Sequence, residues 1–112
     1  MNTKEIAQTI VQQIKAGDRL AMACWGTHNL VALRSDNNGM LGGLQFHVNG
    51  ALFKGIVQIR LMASDTYTVI LGRMYRGQLV VKTEVKDIYC EELADLIDSM
   101  VERDHSKLQE RT

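Results

Sequence analysis

The 112-residue chain has no proline and only two cysteines, and its 13 basic and 13 acidic side chains cancel to a formal net charge of zero. Without proline no stiff linker marks a second domain, so residues 1–112 read as one domain, with 105–112 as a fraying tail. Cys24 and Cys90 stand far apart, and neither a Cys-x-x-Cys nor a His-x-x-x-His spacing occurs. That excludes a disulfide framework and a zinc motif, and the expectation is two reduced thiols, buried or half-buried as small hydrophobes. Zero net charge removes the global field that would draw the chain to nucleic acid or an anionic membrane. No apolar run approaches the roughly 18 residues that cross a bilayer. The opening Met-Asn-Thr-Lys-Glu-Ile also lacks the basic-then-apolar plan of a secretory signal, so a cytoplasmic location is expected.

What is present is an ordinary globular composition, 46% hydrophobic and 23% charged. The stretch from Gly55 to Tyr75 organises it. Val57, Ile59 and Leu61 alternate with Gln58 and Arg60, and Tyr67, Val69 and Leu71 alternate with Thr66 and Thr68, the period-two signature of half-buried strands. With Ala-Ser-Asp between them they predict one long antiparallel hairpin. Met62, Ile70 and Met74 fall opposite its core side and are expected to be exposed unless a helix or a second subunit covers them.

Upstream, Ile6, Ala7, Ile10, Val11 and Ile14 place one apolar stripe along a helix capped by Thr3 and stopped by Gly17. Arg19 to Trp25 alternates Leu20, Met22 and Cys24 with small residues and reads as a strand, pairing with Leu30 to Arg34. A tight turn at Asp36-Asn37-Asn38-Gly39 leads to Leu41 to Val48, where Gly42-Gly43 suggests a bulge. Arg76-Gly77 turns into a last strand, Gln78 to Val85. Asp87 then caps a closing helix carrying Leu93, Leu96, Ile97, Met100 and Val101. The expected fold is α+β: an antiparallel β-meander sheet of five or six strands with one helix at each terminus.

No catalytic, cofactor-binding or metal-binding motif emerges. Asp65-Thr66-Tyr67 reads as a strand turn, with Asp65 accepting backbone amides and Tyr67 pointing into the core. The pair Asp65 and His47 would serve an enzyme only if a cleft joined them. Charge is the stronger hint. From Leu30 to Lys86 seven bases face three acids, and from Asp87 to Asp104 seven acids face one base, so sheet and closing helix carry opposite signs. Arg60 would form a basic patch with Arg73 or Arg76 if the register brings them together. Glu91, Asp95 and Asp98 share one side of the closing helix, as a solvated face or as a mimic of phosphate spacing. Trp25, the only tryptophan, sits beside a turn with His28 and reads as a core cap or an interface anchor. A strand edge or the apolar sheet face would also suit a homodimer.

The runs Leu44-Gln45-Phe46-His47-Val48-Asn49-Gly50, Val57-Gln58-Ile59-Arg60-Leu61 and Asp65-Thr66-Tyr67-Thr68-Val69 with Gly72-Arg73 resemble a family of small uncharacterised proteins carried by bacteriophages and integrative mobile elements. That family has a Leu-x-Phe strand, an Ile-x-Leu strand, an Asp-Thr-Tyr turn and a Phe-Gly strand in this order. Ile88-Tyr89 stands for its Val-Tyr helix start, and Ala21-Met22 with Gly26-Thr27-His28-Asn29-Leu30 resembles its opening hairpin. The likeness spans Leu20 to Ile97. Leu71 replaces the usual aromatic before glycine, and the polar tail after Arg103 replaces the usual Thr-Gly-Leu-Tyr ending. The resemblance implies a mobile-element origin and no mechanism. The leading expectation is therefore a small non-enzymatic protein-binding or regulatory protein, for instance an inhibitor of a host system. A nucleic-acid-binding module using Arg60, Arg73, Arg76 and Lys82 is the alternative, with affinity falling steeply in salt.

Overall fold

The computed structural model describes residues 2–36 and 38–102, so the expected frayed tail lies outside the described residues. Helix α1 (Thr3–Gly17) is followed by a short helix α2 (Ala21–Cys24) and five strands. These are β1 (His28–Leu33), β2 (Met40–Asn49), β3 (Lys54–Met62), β4 (Tyr67–Tyr75) and β5 (Gln78–Ile88). A single 3-10 turn, Cys90–Glu92, opens helix α3 (Leu93–Val101). The strands form one sheet in the order β1-β2-β3-β4-β5, every neighbouring pair antiparallel. The fold is thus the α+β meander with a helix at each terminus, and the short α2 is an addition to it.

The expected hairpin is β3–β4 at the sheet's centre, where Val57 pairs with Leu71, Ile59 with Val69 and Leu61 with Tyr67. Those side chains, with Leu44, Phe46 and Val48 of β2, form a core with Ile6, Ala7, Ile10 and Ile14 of α1 and Leu93, Ala94, Ile97 and Val101 of α3. Both terminal helices therefore cover the same face of the sheet. On the other face Ile70 and Ile56 are nonetheless buried, which corrects the expectation for Ile70. Ile70 sits in register between Gln58 and Glu84, and on an inner strand the flanking side chains close over it. Met74, beyond that shelter, is exposed as expected and Met62 is half-buried.

Four local readings change. Asn2, not Thr3, caps α1, its Oδ1 accepting the Glu5 N–H at 2.8 Å. Gly17 is the last helical residue and not a left-handed stop; a Cβ there would lie 2.8 Å from Ala94 Cβ, so it allows α1 and α3 to touch. Arg19 to Trp25 is not a strand. Ala21 and Trp25 are buried but Ala23 between them is exposed and Met22 is half-buried against the core, a pattern that a helical turn satisfies and strand alternation does not. Asp87 does not cap α3, because β5 runs through it to Ile88; instead Glu92 Oε1 accepts the Tyr89 N–H at 3.1 Å at the helix entrance.

The turns follow their sequence signals. Arg76 (φ 52°) and Gly77 (φ 80°) make the two-residue left-handed turn that matches strand twist. Asp36 Oδ1 accepts from the Asn38 and Met40 N–H groups at 2.8 and 3.1 Å. Those bonds hold its carboxyl below the usual range. The β3–β4 turn is closed by the Met62 N–H donating to the Thr66 carbonyl at 2.9 Å, and Asp65 contributes a left-handed φ of 67°.

A candidate protein-docking edge

The two edges of this sheet differ in chemistry. An edge strand presents unpaired backbone N–H and C=O groups, and proteins ordinarily defend it with charge and bulges. Strand β5 is defended in this way, carrying Lys82, Glu84, Lys86 and Asp87 with two register shifts against β4. Strand β1 reads His-Asn-Leu-Val-Ala-Leu and has no charged residue. Leu30 and Val31 are 49% and 51% exposed, and only one irregularity, between His28 and Val31, interrupts its pairing with β2.

Beside that edge the helical layer stops short. The stripe of α1 turns Ile6, Ala7, Ile10 and Ile14 down onto the sheet, and a Cβ built on Gly42 would meet Ile6 at 2.8 Å and the Leu33 carbonyl at 3.3 Å. Helix α1 thus starts over the Leu33 end of β1. Between helix and edge lies an open groove of about 530 Å³. Leu30, Ala32 and Leu44 form its floor, Ala7 and Val11 its wall, and Lys4, Gln8, Gln12 and Lys15 its rim. These rim positions recur at four, four and three residues, one side of a helix. Their polarity alone marks them as nothing more than the solvent side of α1. The uncharged composition of residues 28–33, set against the charged run 82–87, was the signal available for the edge.

The residues expected to bind a partner are scattered. Trp25 is fully buried, which bears out its reading as a core cap and corrects the alternative reading as an interface anchor. Its ring lies parallel to Phe46 at 6.4 Å and its Nε1–H donates to Asp98 Oδ1 at 2.9 Å, while its carbonyl accepts from the Asn49 N–H at 2.8 Å. It joins α2, β2 and α3 from within. His28 is exposed on the helix-free face, 5.4 Å from its cross-strand neighbour His47, with Nδ1 2.8 Å from the Gly26 carbonyl.

Arg60 lies on that same face, its Nε and Nη2 donating to Gln58 Oε1 at 3.1 and 2.8 Å. Arg60 pairs with Thr68, five residues before Arg73 on β4. At strand rise this is about 17 Å, so the register does not unite Arg60 with Arg73. The other three cations all lie on the β4–β5 arm. Arg73 lies over Phe53 at 5.3 Å and donates from Nε to the Lys54 carbonyl at 3.0 Å; Arg76 lies over Tyr75 at 5.2 Å; Lys82 lines a groove with Arg73 and Tyr75. From Thr66 to Thr83 the chain has no acid.

Glu91, Asp95 and Asp98 meet Asp18 in a small cleft of about 150 Å³ at the junction of α1 and α3. Among the described residues no group of three His, Cys, Asp or Glu has metal-binding geometry. Asp65 and His47 do not share a cleft. His47 pairs with Ile56, whereas the Asp65 turn follows Met62, six residues on and about 20 Å away at strand rise. Both cysteines are free but exposed, which corrects the burial expected of them. The Cys90 thiol donates to Glu91 Oε2 at 3.3 Å, and that bond pushes its pKa up. Tyr67 is buried as expected; its hydroxyl donates to Gln13 Oε1, and burial raises its pKa.

Among the described residues no helix is long and apolar enough to cross a membrane. No family model, curated protein or solved structure matches the chain.

Proposed function

We propose that this chain is a small non-enzymatic protein-binding module of a phage or mobile element, which takes up its partner by strand addition at β1. One observation carries the reading: the uncharged, exposed edge of β1 runs beside an apolar groove under α1, while the opposite edge is charged and bulged. Strand addition uses main-chain hydrogen bonds for affinity and flanking pockets for specificity, and this edge supplies both. The mobile-element origin rests on the resemblance around Asp65-Thr66-Tyr67, and inhibition of a host system is one form the activity would take.

The test is a tagged pull-down from host lysate with and without nuclease, run in parallel with the double variant Leu30→Lys, Ala32→Lys. Both substitutions place charge in the groove floor at exposed positions. The expected result is one protein held at stoichiometric amount after nuclease and lost from the variant. Equal retention by wild type and variant would sink the β1 assignment.

A second reading is favoured by the gathering of Arg73, Arg76 and Lys82 on an acid-free arm, which suits a nucleic-acid backbone. Three phosphate contacts predict a log–log salt slope near about −3. Bound protein that vanishes with nuclease, together with that slope for purified DNA, would put this reading first.

A further inference from the structure

We infer that the strand taken up at β1 is an extended acidic segment of another protein, with two carboxylates six residues apart on its helix-facing side and apolar side chains between them. The inference rests on the docking reading above and adds the chemistry of the occupant. The groove lining has two lysines, Lys4 and Lys15, and no carboxylate. Lys15 follows Lys4 by eleven positions, about 16 Å at 1.5 Å per residue; strand side chains alternate faces, so two carboxylates on the helix side stand an even number of residues apart, and six residues, about 20 Å, bracket that span within reach of the lysine side chains. Between the lysines the rim is uncharged, Gln8 and Gln12, and the floor is apolar, Leu30, Ala32 and Leu44. A matching segment therefore has acids at its two ends and small apolar side chains between them on the face turned to the groove.

The same lysines argue against a second copy of this chain. In a two-fold antiparallel β1–β1 pair the two α1 helices face each other across the seam. That sets Lys4 of one copy against Lys15 of the other at both ends, four cations with no acid lining either groove. Like charges brought together this way oppose association, whereas an acidic strand removes the repulsion and gains two ion pairs. Arg34, directly after β1, adds one more cation at the Lys4 end.

The experiment is an NMR titration of the ¹⁵N-labelled full chain with two peptides, acetyl-Thr-Glu-Thr-Val-Thr-Val-Thr-Glu-Thr-amide and its counterpart with lysine at both glutamate positions. Amide shifts confined to β1 and α1 are expected with the acidic peptide, which should bind at least fivefold tighter at low salt than the basic one. The exposed double variant Lys4→Glu, Lys15→Glu should reverse that order and keep the wild-type spectrum elsewhere. Equal binding of both peptides at β1 would overturn the charge inference and leave the docking edge standing. No shift at β1 from either peptide at millimolar concentration would overturn both. Broadening of β1 resonances with protein concentration alone would instead assign the edge to a second copy.

Discussion

Trp25 is the place to test whether this core is assembled as described. Its indole is fully buried and its Nε1–H has Asp98 Oδ1 as acceptor at 2.9 Å. Replacing Asp98 with Ala leaves that donor inside the protein without its carboxylate, and an unsatisfied buried donor costs about 1–3 kcal/mol. At about 4–8 °C per kcal/mol for a chain of this size, Tm should drop by roughly 5–20 °C. Asp98→Asn keeps an oxygen in place and loses only the charge, so about half the cost should return. Trp25→Ala removes the whole wedge between Phe46 and α3 and should cost about 3–5 kcal/mol. As Trp25 is the only tryptophan, its emission reports on this site alone: urea titrations of wild type and the Asp98 variants give the stabilities directly. A double-mutant cycle of Asp98→Ala with Trp25→Phe, followed by circular dichroism, separates the pair from other contacts of Asp98. If Asp98→Ala matched wild type within about 0.3 kcal/mol, or if acrylamide quenched native Trp25 as freely as indole in water, the residue would belong to the surface and the reasoning would fail.

Gly43→Ala should destabilise the sheet by about 1–3 kcal/mol in the same urea assay, because the new Cβ would sit 2.3 Å from the Ile59 carbonyl oxygen, a backbone atom that cannot rotate away. Cys90 should react with a disulfide reagent in the folded state, but its rate should keep rising to higher pH than an ordinary thiol's. The sign follows from Glu91, whose carboxylate holds the protonated thiol, so Glu91→Gln should move the pH–rate profile to lower pH. Val31→Lys faces away from the groove, paired with Gln45 on the helix-free side; it should slow aggregation in light scattering and change stability by no more than about 0.5 kcal/mol.

The central hairpin was legible because its alternation runs through two nine-residue strands and its turn residues tolerate left-handed backbone. The α1 stripe was legible for the same reason at helical period. Helix α2 was not: four residues are too few for a period to show, and Leu20, Met22 and Cys24 alternate without facing any partner strand. What decides that segment is tertiary, since Trp25 must reach Phe46 and Asp98 while Ala21 fits beneath. The loop after β2 was hidden for a similar reason. Leu52 and Phe53 N–H groups donate to the Val101 carbonyl at 2.9 and 3.2 Å, and the Ala51 N–H to Glu102 Oε2 at 2.7 Å, so Ala51-Leu52-Phe53 serves as the end cap of a helix half the chain away.

The candidate site lay at the same limit. On a helical wheel Lys4, Gln8, Gln12 and Lys15 look identical whether they face open water or the rim of a groove, and only the placement of α1 short of β1 makes them a rim. The edge was hidden by α2: with Arg19 to Trp25 read as a strand, Leu30 to Arg34 would lie inside the sheet, and only because that segment is helical is β1 the first strand of the meander. A sheet of five strands in sequential order leaves its first and last strands unpaired on one side, so residues 28–33 and 78–88 are the edges. Their compositions then differ in the direction that matters: one is charged against pairing and the other is not. The neutrality of the chain as a whole concealed this, because the cations of the arm, the acids of α3 and the bare edge lie in separate regions whose charges cancel only in the sum. Specificity in such a molecule is set patch by patch, and at β1 the two lysines of the rim are the charges that line the groove.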